Sequence, residues 1–321
     1  MINDFHFSHE FLACDSLKIS IISDSIINNW LNYGCLLAPF AKLTEYKEWI
    51  EYHDPKSCQK WTTAFSHCLI NDITDEYKSV SDLLSLENCF NYMDTLNIPT
   101  LLINEEELKK LKVENGKHVR DSLEIININN FDESSSFKKS ESLKNLGILE
   151  GDKINDIWSE RFFPIVKKTK TITIIDRYFS KNLEEDINIR VTSIERFIDF
   201  LSQSGKKHSI TIYSSGGDKN SGRHSTISNY IDRVLSKRPT YKSTISHFEV
   251  NSCDDKLFQK NAHDRFIQFD DFTLQLGSGM AIFRSYDLNA CSFSFYRSAK
   301  DPIFKTALST MSKHRKWRHV V

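Results

Sequence analysis

The C-terminal half of this chain alternates β-branched runs with amphipathic stretches, and that alternation restricts the folds open to it. Thr171-Ile172-Thr173-Ile174-Ile175 is a β-branched run ending at Asp176, the composition of a buried strand. After it, Ile194, Phe197, Ile198 and Leu201 follow helical spacing, which predicts a helix capped by Ser193 and closed by Gly205. His208–Tyr213 reads as a second strand, followed by a polar loop over Ser214–Gly222. An amphipathic helix through Ile227, Tyr230, Ile231 and Leu235 comes next, and Ser243–Val250 reads as a third strand. This order favours an α/β fold with a parallel or mixed sheet covered by helices.

The residues with the most chemistry lie just beyond. His263-Asp264-Arg265-Phe266-Ile267-Gln268-Phe269-Asp270 is followed by the apolar run Phe272–Leu276 and then by Gly277-Ser278, giving the spacing H-x-R-x4-D-x6-G-S. Alternation along a strand puts His263 and Arg265 on one face, so both can reach one phosphate. A half-exposed strand also needs polar residues on its wet face, and the triplet alone fits that reading equally. The full spacing through Gly277-Ser278 is more specific. It resembles the H-x-K-x4-D-x6-G-S signature of the phospholipase D superfamily, with Arg265 in the Lys position, and the resemblance covers roughly the C-terminal half.

That resemblance implies phosphodiester cleavage without a metal or other cofactor. His263 would attack phosphorus or protonate the leaving oxygen, Arg265 would hold phosphate, Asp270 would orient the histidine strand, and Ser278 would donate a hydrogen bond. The mechanism needs two histidines with different roles. Only one such motif is present, since His224 lacks the spacing, so an enzyme of this kind would be a homodimer with a shared site. Single-motif bacterial relatives imply a nuclease in a restriction or antiphage setting.

Three departures bear on turnover more than on fold. Arg265 keeps the charge and adds a planar fork suited to phosphate. Ala281 stands where the family often has Asn, and Asn289-Ala290-Cys291 supplies no later carboxylate. A PLD-like domain at the C-terminus of MIT-domain proteins carries a similar His-Asp-Arg strand, and that resemblance implies a dimeric, non-hydrolytic module binding nucleic-acid or lipid phosphates. A subunit active only in a complex is a third reading.

Charge is balanced, with 42 Lys and Arg against 43 Asp and Glu, so no global field marks a nucleic-acid partner. Local basic clusters remain. Lys206 and Lys207 are expected to border a nucleic-acid groove, and Arg315 and Lys316 belong to a basic C-terminal stretch around Trp317 that suits backbone contacts or simple solvation. The seven Cys form no C-x-x-C pair, which points to reduced thiols and a cytoplasmic setting. His53, Cys58, His67 and Cys68 lack ligand-knuckle spacing, and a helical core with Trp61 and Phe65 is the expectation there rather than zinc. Neither a leader segment nor a membrane span is expected.

The expected division is residues 1–147, a helix-rich α/β domain, and residues 148–321, the PLD-like domain. Lys42–Ile50, Lys56–Ile70 and Val80–Leu96 read as helices and Ile98–Ile103 as a buried strand. Asp24-Ser25 is expected to cap a helix, and Glu105-Glu106-Glu107 to open another on its macrodipole. The polar stretch Phe131–Ser140 reads as a hinge. This half fits a docking domain for a protein partner, a specificity domain, or a decayed copy of the second half.

Overall fold

Thr100, Leu101, Leu102 and Ile103 are all buried, as expected of a strand covered on both faces by helices. In the computed structural model, which describes residues 1–73, 78–112, 116–261, 265–297 and 302–321, both halves are α/β, each with its own mixed sheet. The chain divides into Met1–Ser142 and Leu143–Val321, a few residues ahead of Gly147.

The N-terminal sheet has the order β3-β2-β1-β4-β6-β5. Its strands are β1 (Asn3–His6), β2 (Gly34–Leu37), β3 (Leu69–Asn71), β4 (Thr100–Ile103), β5 (Lys117–Arg120) and β6 (Leu123–Asn127). All are parallel except β5. The chain builds outward from β1 to β3 and then returns to the other side of β1, creating a topological switch point between β1 and β4.

Among the described residues, six helices accompany this sheet: α1 (Ser20–Tyr33), α2 (Leu43–His53), α3 (Cys58–His67), α4 (Leu86–Thr95), α5 (Glu105–Leu111) and α6 (Ser135–Ser142). Its core is aromatic. Phe5 meets Trp30 and Phe137 edge-on at 5.9 and 5.6 Å, and Phe7 stacks on Phe11 at 4.8 Å. Trp61 and Phe65 are buried on α3, as their spacing predicts.

Several expectations fail in this half. The helix expected over Lys56–Ile70 ends at His67, with Leu69–Asn71 forming β3, and the one expected over Val80–Leu96 is a 3-10 turn at Val80–Asp82 and then α4 from Leu86, capped by Ser85. Asp24-Ser25 lies inside α1 rather than at its start, and Asp24 instead pairs with Lys60 at 2.6 Å. The supposed hinge is a 3-10 turn over Ile128–Glu133 followed by α6, with Phe131 and Phe137 packed 4.9 Å apart. Two buried aromatics outweigh the polar composition around them.

The C-terminal sheet has the order β12-β11-β10-β7-β8-β9-β13. Strands β7 (Thr171–Ile175), β8 (His208–Ser214) and β9 (Ile245–Cys253) are parallel. Strands β10 (Arg265–Phe269), β11 (Phe272–Leu276) and β12 (Phe293–Arg297) continue antiparallel beyond β7, and β13 (Arg315–Val320) closes the other edge.

Short helices α7 (Ile154–Ile157) and α8 (Phe163–Val166) flank a π turn at Trp158–Phe162. Helices α9 (Phe179–Asp186) and α10 (Ser193–Ser202) link β7 to β8, and α11 (Gly222–Arg233) and α12 (Pro239–Thr244) link β8 to β9. On one face Phe162 packs against Phe269 and Phe283, with Trp158 stacked on Phe200 at 4.8 Å. On the other, α13 (Asp255–Asn261) and α14 (Pro302–Lys313) bring Phe258, Phe304 and Met311 onto Ile175, Tyr213, Cys253 and Phe266. The helix at Ser193 is capped by Thr192, not Ser193: Thr192 and Glu195 form a reciprocal capping box.

The basic stretch near the C-terminus is strand β13, and its Trp317 is buried. Among the described residues, no helix is long and apolar enough to cross a membrane, and no group of three or more His, Cys, Asp or Glu is placed to hold a metal.

Candidate functional site

Register places the site. Strand β10 pairs Phe266 with Ile175, so Arg265 lies beside Asp176 at the carboxyl end of β7. Strand β11 pairs Leu276 with Arg265, which brings Gly277-Ser278 to the same edge. Ligands of open α/β sheets bind outside the carboxyl ends of the parallel strands. This is the edge on which Asp176, Arg265 and Ser278 converge.

Asp176 is 1% exposed and anchors the edge. Its Oδ1 accepts from the Tyr178 N–H at 2.9 Å, and its Oδ2 accepts from the Met280 N–H at 2.8 Å. Burial pushes this carboxyl above the usual carboxylate range, and the two N–H donors and Arg265 oppose that shift. Gly279 makes the approach possible. At φ +56° its backbone is left-handed, and a Cβ there would lie 2.5 Å from Asp176 Oδ2 and 2.6 Å from Arg265 Cδ.

Among the described residues, Arg265 is held without being neutralised by a close partner. Its Nε lies 3.9 Å from Asp176 Oδ1, a long ion pair, and its guanidinium lies 4.9 Å from the centroid of the Tyr178 ring. Among the described residues its guanidinium has no hydrogen-bond partner. Arg177 contacts the same ring at 5.2 Å and is fixed by a bidentate pair with Asp255 at 2.8 and 2.7 Å. The result is a half-exposed tyrosine bordered by two guanidiniums, an arrangement suited to a planar or tetrahedral anion.

The remaining expected residues divide between the two edges. Ser278 is near Arg265 in the fold, and its Oγ lies 3.4 Å from Cys291 Sγ. His263 lies outside the described residues. Asp270 stands at the opposite end of β10, about 17 Å from Arg265 at the usual strand rise. There it occupies the β10–β11 turn at φ +46° and accepts from the N–H groups of Lys170 and Thr171, both at 2.9 Å. It therefore fastens the start of β7 and does not reach the Arg265 edge. The two-residue turn that follows Phe269 is the physical reason.

Lys206 and Lys207 precede β8 and so lie at that same far edge, exposed and apart from Arg265. Arg315 and Lys316 lie at the carboxyl edge, because β13 pairs Arg315 with Cys253. Both are paired with acids, Arg315 with Glu249 at 3.5 Å and Lys316 with Asp218 and Asp254 at 3.0 and 3.3 Å. Sequence reading missed Arg177, Tyr178, Asp255 and Gly279. The signal was the acid-Arg-Tyr triplet immediately after a buried strand.

No protein-family model matches the chain, and no curated protein matches its sequence. Among solved structures, one similar chain is TrmBL2, an archaeal chromatin protein whose structure shows a novel mode of DNA binding. The likeness has 16% identity and a TM-score of 0.26, too low to establish a shared fold, and spans 59% of this chain and 65% of that one.

Proposed function

We propose that the C-terminal unit is a PLD-like domain that binds a nucleic-acid phosphodiester at Arg265 and hydrolyses it with His263 from two copies of the chain. The observation that carries this reading is the Arg265 guanidinium, stacked on Tyr178 at a sheet's carboxyl edge and free of hydrogen bonds among the described residues. A planar fork oriented by an aromatic ring matches two phosphate oxygens. Arg177, whose charge is offset by its bidentate pair with Asp255, buttresses the same ring.

In this reading Arg265 offsets charge on the phosphate, and Ser278 adds a hydroxyl donor. One His263 attacks phosphorus, breaking the P–O bond, while the partner copy's equivalent protonates the leaving oxygen; that second histidine then takes a proton from a water that cleaves the phosphohistidine and frees the first. Asp176 holds the Gly279 turn and limits the movement of Arg265. The setting that the motif's resemblance suggests is bacterial antiphage defence.

A second reading, a phosphate-binding module without turnover, is favoured by Ala281, which has no polar group to orient a phosphate. One experiment separates them. Labelled DNA and RNA are incubated with wild type, His263→Ala and Arg265→Ala in EDTA, and binding is measured alongside. Cleavage by wild type alone, with binding retained by His263→Ala and lost by Arg265→Ala, supports the nuclease. Binding without cleavage by wild type moves the function to the module, and absence of both overturns the site.

A further inference from the structure

Helices α1 and α3 of the N-terminal unit lie side by side and run the same way. Lys60 near the start of α3 pairs with Asp24 near the start of α1 at 2.6 Å, and Phe65 meets Trp30 edge-on at 5.3 Å toward their ends. Between the two helices is an open groove of about 450 Å³, within the usual range for small-molecule sites. Ile27 and Leu31, one turn apart on α1, form its floor with Ala64 and Cys68. The neighbouring stripe of α1, Ile26, Trp30 and Tyr33, is buried, whereas Ile27 and Leu31 are only half-buried. Covering them would remove further apolar surface from water.

Charge and width define what this groove can hold. No Asp or Glu lines it, and its two lysines, Lys56 and Lys60, stand together at one end. Asp24 offsets Lys60. Lys56 differs, because it is exposed and has no ion pair or hydrogen bond among the described residues. The acid nearest to it in sequence, Asp54, is buried and accepts from the Ser57 N–H at 3.3 Å. An anionic group therefore finds an uncompensated cation at the head of an apolar strip. The strip is narrow, since exposed Gln59 and Thr63 make its margin polar. A partner helix laid in a groove needs apolar anchors over several turns. A single alkyl chain needs only the strip, which runs about 12 Å from Lys60 to Cys68 at the helical rise.

We propose that this groove binds a medium-chain fatty acid, its carboxylate at Lys56 and its alkyl chain along Ile27, Leu31 and Ala64. The site is independent of the C-terminal unit's chemistry. Lys60, held by Asp24, lends its methylene stem to the wall. Exposed His67 lines the far end beside Cys68, so a chain longer than the strip emerges into water and gains little from its last methylenes.

The test is calorimetric titration of hexanoate, octanoate and decanoate into the full chain, below micelle formation. Decyltrimethylammonium, with a similar chain and the opposite charge, is the control. Affinity should rise about two- to fourfold per added methylene, fourfold being the scale of complete burial. Lys56→Glu should weaken decanoate binding about three- to tenfold, the scale of reversing one exposed charge. Thr63→Glu places a carboxylate in the wall and should weaken it as well. Both positions are exposed, so neither variant endangers the fold. No saturable binding at millimolar decanoate overturns the proposal. So does affinity that ignores chain length, equal binding by wild type and Lys56→Glu, or decyltrimethylammonium bound as tightly as decanoate. Failure of decanoate together with saturable binding of an acidic amphipathic helical peptide, lost in both variants, would also overturn it and give the groove to a protein partner.

Discussion

The Arg265 guanidinium lies 4.9 Å from the centre of the Tyr178 ring; Arg265 opens β10, and Tyr178 lies in the turn between the neighbouring antiparallel strand β7 and α9. The ring restrains an otherwise flexible side chain that is 26% exposed. A cation–π contact of this kind contributes roughly 0.5–2 kcal/mol. A charge-assisted hydrogen bond to a ligand oxygen contributes about 1.5–3 kcal/mol.

Substitution should rank these two contributions. Arg265→Ala should weaken oligonucleotide binding by roughly ten- to a hundredfold, following the charge-assisted bond. Arg265→Lys should recover part of that loss, because charge survives and the fork does not. Tyr178→Leu should cost less, roughly three- to tenfold, because it removes only the restraint. Fluorescence anisotropy over a salt series checks this. The Arg265→Ala salt slope should fall by about 0.7 for a single strand.

Gly279→Ala tests the turn. The new Cβ would meet Asp176 Oδ2 and Arg265 Cδ in a left-handed backbone, so either the turn or the arginine must shift. Expected losses are about 1–3 kcal/mol in urea unfolding, together with weakened binding. Gly151, at φ +88° with no atom near its Cβ position, is the control. Gly151→Ala should cost backbone strain without changing binding.

The Lys206 and Lys207 expectation yields a sharp contrast. A seven-residue strand separates them from the carboxyl edge, about 20 Å at the usual rise. A Lys206→Ala, Lys207→Ala double substitution should therefore leave short-oligonucleotide affinity within about twofold, since a Debye length is only about 8 Å at physiological salt. A loss matching that of Arg265→Ala would show that the bound strand crosses the whole sheet.

Much of this order was readable beforehand, because strands such as Thr171–Ile175 and helices such as Ser193–Ser202 carry their own periodicity. Edges were harder. The spacing Arg265-x4-Asp270 is close in sequence, yet a strand turns that closeness into distance, and only the turn after Phe269 shows which end Asp270 occupies. Thr192-Ser193-Ile194-Glu195 held a capping-box pattern, obscured by the adjacent serine. The N-terminal switch point was not legible in any motif. It arises from strand order, and strand order is set by how helices cover both faces.

Glu107 links that switch point to stability. Its carboxyl ionises near 7 in the folded chain against a usual value of 4.5, so between those values the native state holds more proton than the unfolded chain. By linkage, stability must fall as pH rises through this window and level off above it. The full shift corresponds to about 3 kcal/mol, an upper scale for a buried acid. Urea unfolding of wild type and Glu107→Gln at pH 5, 6, 7 and 8 isolates the effect. The variant should gain stability relative to wild type as pH rises, with little difference between them at pH 5. Parallel curves would mean that Glu107 is ionised throughout, with a countercharge supplied in solution.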